Sequence, residues 1–99
     1  MPAAVGLAAF RVVQEGLTNA VKYAPGAATE VRVIFGSDLR LEVLDCGTAK
    51  QSPVASGAQR GLAGLRERIA LLGGQITAGA TQIGGYALKA TIPIEPHAS

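Results

Sequence analysis

The chain has 99 residues, 48% of them hydrophobic and 16% charged, with 13 glycines and a formal charge of +2. That supports one domain with a modest core and argues against disorder. A single cysteine, Cys46, excludes an internal disulfide and a multi-cysteine metal cage, and the one histidine, His97, stands in a C-terminal stretch with nothing to hold it, which removes Ser-His-Asp and His-zinc chemistry.

The basic residues are scattered and the aromatics are two Tyr and two Phe, so nucleic-acid binding has little support. Met1-Pro2 lacks the basic start and long apolar core of a signal peptide, and no apolar run reaches membrane-spanning length. The cytoplasm is the expected location.

Pro2 is tolerated near a helix start, and the first helix is expected from Ala4 to Tyr23, stopped by Pro25-Gly26. Within it Phe10, Val13, Leu17, Ala20, Val21 and Ala24 recur at three and four residues and predict the buried stripe. Glu15, Asn19 and Lys22 stack along another side. An acid, an amide and a base on one helical face suit a metal with its phosphates, and equally an ordinary solvated face.

Thr29–Phe35 alternates, with Val31, Val33 and Phe35 inward; Gly36-Ser37-Asp38 turns the chain; Leu39–Asp45 alternates again. This pattern predicts an antiparallel hairpin. Residues 46–60 have no period and read as a long loop, functional or disordered. Gly61–Leu72 reads as a second helix, with Leu62, Leu65, Ile69 and Leu72 on one face, ended by Gly73-Gly74. Two strands follow, Gln75–Ala80 and Tyr86–Ile92. The order predicts an α+β sandwich, helices on one face of a mostly antiparallel sheet, in one domain spanning residues 1–99.

Asp45 at a strand end could accept from an exocyclic amine, and Gly47 would let backbone approach a flat ring; a plain turn is the commoner meaning of Asp-x-Gly. Gly61 and Gly64 at a helix opening would leave backbone N–H groups for an anion, or be a loosely capped helix start. No GxxxxGK sequence occurs, so a P-loop is excluded.

In order, Glu15-x-x-x-Asn19-Ala20-x-Lys22-Tyr23, Asp45-x-Gly47 and Gly61-Leu62-x-Gly64-Leu65-Arg66-Glu67-Arg68 resemble the ATP-binding domain of two-component sensor histidine kinases. The wording FRVVQEGLTNAVKYA and GLAGLRERIALLGG is most similar to the subgroup paired with LuxR/NarL-type response regulators. The resemblance covers residues 4–93 and implies the Bergerat-type sandwich shared with gyrase, Hsp90 and MutL. Its usual N-terminal strand has no counterpart in this sequence, which therefore reads as a fragment of a longer chain.

By that resemblance Asn19 would ligand Mg²⁺, Lys22 and Tyr23 would contact phosphate or ribose, and Glu15 would orient or deprotonate the attacking group. Asp45 would accept from the adenine amine with Gly47 beside the ring, and Gly61, Leu62 and Gly64 would meet the phosphates of ATP under a lid formed by residues 46–60. Ala49 and Gln59 stand where the family usually has glycine.

The resemblance implies a bacterial transferase that passes phosphate to a histidine on a separate dimerisation domain, and through it to a response regulator. A nucleotide-binding module without turnover and an anti-sigma-type serine kinase are the alternatives. No nucleic-acid or membrane contact is expected. The isolated chain is expected to be a monomer, since dimerisation normally belongs to helices outside this fragment, though the absent first strand could leave an adhesive edge.

Overall fold

The computed structural model describes residues 2–23, 26, 28–46, 56–81 and 85–94. Two helices lie on a four-stranded antiparallel sheet: α1 (Ala3–Tyr23), β1 (Thr29–Phe35), β2 (Asp38–Asp45), α2 (Ser56–Leu71), β3 (Gln75–Ala80) and β4 (Tyr86–Pro93). The strand order is β1-β2-β4-β3, so β4 crosses to pair with β2 and the two edges are β1 and β3. The predicted α+β sandwich and the β1–β2 hairpin are present, the last two predicted strands also pair antiparallel, and the boundaries agree within one residue except at the start of α2.

The core lies between the helices and the centre of the sheet. Leu39, Leu41 and Val43 of β2 and Leu88, Ala90 and Ile92 of β4 meet Val5, Ala8 and Val12 of α1 and Leu62, Leu65 and Ile69 of α2. Period two on the strands and three-to-four on the helices bring these residues to one layer. Helix α2 ends in paired backbone bonds, Gly74 N–H to the Ile69 carbonyl at 2.9 Å and Gly73 N–H to that of Ala70 at 3.0 Å, the Schellman arrangement expected of the Gly-Gly stop.

Three expectations are corrected. The buried stripe of α1 is Val5, Ala8, Val12, Gly16, Asn19 and Ala20, whereas Phe10 is 62% exposed, Leu17 41% and Val21 is largely in solvent. At Gly16 the helix lies so close to Val43 of β2 that no side chain fits there, and the larger stripe turns outward.

Second, Val31, Val33 and Phe35 do face the helix side, being register partners of Val43, Leu41 and Leu39, yet all of β1 is exposed. The helices pack over β2, β4 and β3 and reach little of β1.

Third, α2 begins at Ser56, inside the stretch read as a loop. Ala58, Gln59 and Arg60 are good helix formers and continue it without apolar period. The remainder of the expected lid, residues 47–55, lies outside the described residues.

Candidate functional site

The face of α1 turned to the sheet carries the amide first singled out in the sequence. Asn19 is 6% exposed, and its Nδ2 has no hydrogen-bond partner among the described residues. A buried amide donor without an acceptor costs about 1–3 kcal/mol, and a ligand atom at this face would remove that cost. The donor set fits a nucleotide's phosphates with a cation: the amide oxygen can ligate while the nitrogen donates. Among the described residues no three His, Cys, Asp or Glu side chains gather as a metal cage. A hard divalent ion here would depend on phosphate oxygens for most of its shell.

Gly16 sets the height of this face above the sheet. A Cβ there would come within 2.7 Å of the Val43 side chain, closer than carbon atoms pack. Two effects compete in Gly16→Ala. Helix propensity favours alanine by about 1 kcal/mol, and overpacking a filled contact costs about 1–3 kcal/mol. The expected outcome is a net loss of stability in a thermal melt; a raised Tm would show that α1 can lift off Val43 freely.

Glu15, half-buried, shares a cavity of about 250 Å³ between the helices with Arg11, Gln14, Gly64, Leu65 and Arg68. The fold thus brings together the acid of the first motif and a glycine of the third, 49 positions apart in the sequence. Asn19 and Asp45 do not line that cavity.

Asp45 closes β2 on the helix face, 8% exposed, directly across from Tyr86 of β4. Beside Tyr86 a second cavity of about 330 Å³ is lined by Leu62, Ala63, Arg66 and Ala78. Burial pushes the Tyr86 phenol above its ordinary pKa; the Arg66 guanidinium opposes this and the Asp45 carboxylate adds to it. Helix α2 therefore stands between two hollows, with Gly64 and Leu65 toward one and Leu62 and Arg66 toward the other.

Gly61, Leu62 and Gly64 lie within α2 and not at its opening, because the helix starts five residues before Gly61. The backbone N–H groups left over by the helix belong to the turn beginning at Ser56. This corrects the expectation that the glycines themselves present free N–H groups. Leu62 is buried in the core, and Gly64 is exposed with open space around it. Lys22 is exposed in the last turn of α1, Tyr23 ends that helix, and Gly47 lies outside the described residues.

Sequence reasoning missed Gly16, Gly85 and Tyr86. A Cβ at Gly85 would overlap the Asp45 carbonyl, so this position holds β4 tightly against the site strand, while Gly85 N–H donates to Thr81 Oγ1 at 2.9 Å. An isolated glycine at helical spacing from Val5, Ala8 and Val12 was the available signal for Gly16.

No family model matches the sequence. The chain is 32% identical over 90 residues to the sensor histidine kinase LiaS of Bacillus subtilis, covering 88% of this chain and 24% of that protein. It is 36% identical over 85 residues to the signal transduction histidine-protein kinase/phosphatase UhpB of Salmonella typhimurium, covering 85% of this chain and 16% of that protein. Its structure superposes on the ATP binding domain of PrrB from Mycobacterium tuberculosis with a TM-score of 0.62 at 26% identity, covering 97% of this chain and 71% of that one.

The chain belongs to the catalytic domains of sensor histidine kinases. The catalytic domain seen here spans a quarter or less of the length of the two curated relatives, 24% and 16%. Among its described residues no helix is long and apolar enough to cross a membrane.

Proposed function

We propose that this catalytic domain binds ATP with Mg²⁺ and donates the γ-phosphoryl group to a histidine held on a separate dimerisation domain of the same kinase, in two-component signalling. The observation that carries the reading is Asn19, a core-facing amide whose donor has no partner among the described residues. The likeness to LiaS, UhpB and PrrB supports it.

Phosphoryl transfer asks a protein for positioning and charge neutralisation more than for covalent help. Asn19 would hold Mg²⁺ together with phosphate oxygens; the ion supplies positive charge against the triphosphate. Asp45 would accept a hydrogen bond from the adenine amine, with Gly47 beside the ring. Lys22 and Tyr23, at the end of α1, would meet phosphate or ribose. Gly61, Leu62 and Gly64 would border the phosphates along α2, with Gly64 keeping the hollow near Glu15 open. Glu15 would orient the incoming imidazole or take its proton.

The partner chemistry follows from the same reading: a phosphoacceptor histidine domain directly, and a response regulator of the LuxR/NarL type through it, in the cytoplasm.

Calorimetry with Mg-ATP tests the reading. Asp45→Asn is expected to weaken binding by about 1.5–3 kcal/mol, the worth of a hydrogen bond to a charged group, and to reduce the preference for adenine over guanine nucleotides. Asn19→Ala is expected to remove the Mg²⁺ dependence of binding. Wild-type affinity in both variants would sink the assignment of this face as the nucleotide site.

A further inference from the structure

We propose that the hollow between α1 and α2 seats the phosphoacceptor domain, with Arg11 and Arg68 gripping a carboxylate that lies within one helical turn of the acceptor histidine. This role for the hollow rests on the function proposed above, in which Glu15 meets the incoming imidazole.

The two guanidiniums come from different helices, Arg11 from α1 and Arg68 from α2, and share the hollow with Glu15. Arg11 and Glu15 are four apart, the spacing at which a helix pairs opposite charges along its own surface. Among the described residues, however, neither arginine forms an ion pair with Glu15 or with any other acid. Both arginines are exposed and Glu15 is half-buried. Two cations thus stand at the mouth, and one acid lies deeper.

Gly64 is a second, independent sign of a group arriving from outside. It lies in the interior of α2, where helix propensity favours alanine, and its φ is not positive. A Cβ there would meet nothing, so neither packing nor backbone conformation requires glycine. The missing side chain leaves the hollow open.

In the proposed function the Mg²⁺ and phosphates are held at Asn19, which does not line this hollow. The anion left for Arg11 and Arg68 is one that the acceptor protein brings. A protein's own anion is a carboxylate, which the planar guanidinium can bind through two parallel hydrogen bonds. A volume of about 250 Å³ has room for an imidazole and little more. The carboxylate must therefore stand close to the histidine, within the roughly 5 Å of one helical turn.

Docking is read without any transfer by fluorescence anisotropy. The labelled histidine domain of the parent kinase is titrated with the 99-residue chain, Mg²⁺ and a non-hydrolysable ATP analogue. Binding is expected, and it should weaken as salt rises. Arg11→Glu combined with Arg68→Glu should weaken it about tenfold, with circular dichroism unchanged because both side chains are exposed. Replacing the acids within one turn of the acceptor histidine by lysine should restore docking of the double variant and weaken that of the original chain. Mg-ATP affinity in calorimetry should be the same for both chains. A double variant that docks as well as the original, or a charge swap that restores nothing, would overturn the proposal. So would an acceptor domain with no acid in that turn, or no docking of the original chain up to about 1 mM. A loss of Mg-ATP affinity in the double variant would also overturn it, by placing the guanidiniums on the nucleotide. Docking as expected, with no phosphohistidine formed from ATP, would uphold the seat and fail the proposed transfer.

Discussion

Ile69→Ala is expected to lower the free energy of unfolding by about 2–5 kcal/mol, the range for truncating a buried aliphatic side chain. Ile69 is 0% exposed, lies at the junction of α2 with the sheet, and accepts the Gly74 N–H bond that ends the helix. A domain of this size has about 5–15 kcal/mol in total, so the loss is a large share of the whole. Leu17→Ala, on the exposed stripe of α1, is expected to stay within about 0.5 kcal/mol, as surface substitutions do. Chemical denaturation of the two variants side by side checks both, since the m-value should hold while the midpoint moves for Ile69→Ala alone. Equal losses would mean that the outer stripe of α1 is covered by something in solution.

The contrast between these two residues shows what the sequence could and could not reveal. Leu62, Leu65 and Ile69 form the only apolar stripe on α2, and that face was legible. On α1 two apolar stripes coexist at helical spacing: Val5, Ala8 and Val12 on one side, Leu7, Phe10, Leu17 and Val21 on the other. Side-chain size favours the second, and periodicity alone cannot choose.

What decides is the close approach of α1 to Val43 at Gly16, where a Cβ would come within 2.7 Å of that side chain. Asn19 is carried into the buried face by the same packing, although as a polar residue it read as solvated. In the same way, the alternation of β1 told which side Val31 and Val33 face, and burial depended on where the helices came to lie. The family resemblance survived these errors because it rests on the wording and order of the motifs along the chain, which do not depend on which helix face is buried. The anion geometry at Gly61 did not survive, because helix propensity extends α2 back to Ser56.

The largest functional effect is expected at Glu15. Supplied with a helical domain bearing an acceptor histidine, and with radiolabelled ATP, the chain should form acid-labile phosphohistidine on that domain. Transfer should be slow, because an untethered acceptor lacks the roughly millimolar effective concentration that a covalent link provides. Glu15→Gln should lower the rate by a further factor of about 10²–10⁴, the contribution typical of a positioned general base.

Glu15 lines the hollow shared with Gly64 and Arg68, whose lining does not include Asn19. Its neutral isostere should therefore leave Mg-ATP affinity unchanged in calorimetry. That separation is the diagnostic. A variant that loses affinity in proportion to rate would make Glu15 a binding group, and one that keeps full rate would make it a surface acid beside Arg11 and Arg68. Label that resists acid would instead point to a serine acceptor. In the absence of the acceptor domain no histidine label is expected, since His97 follows Pro93 and Pro96 with no sequence feature that would bring it in line with the γ-phosphate.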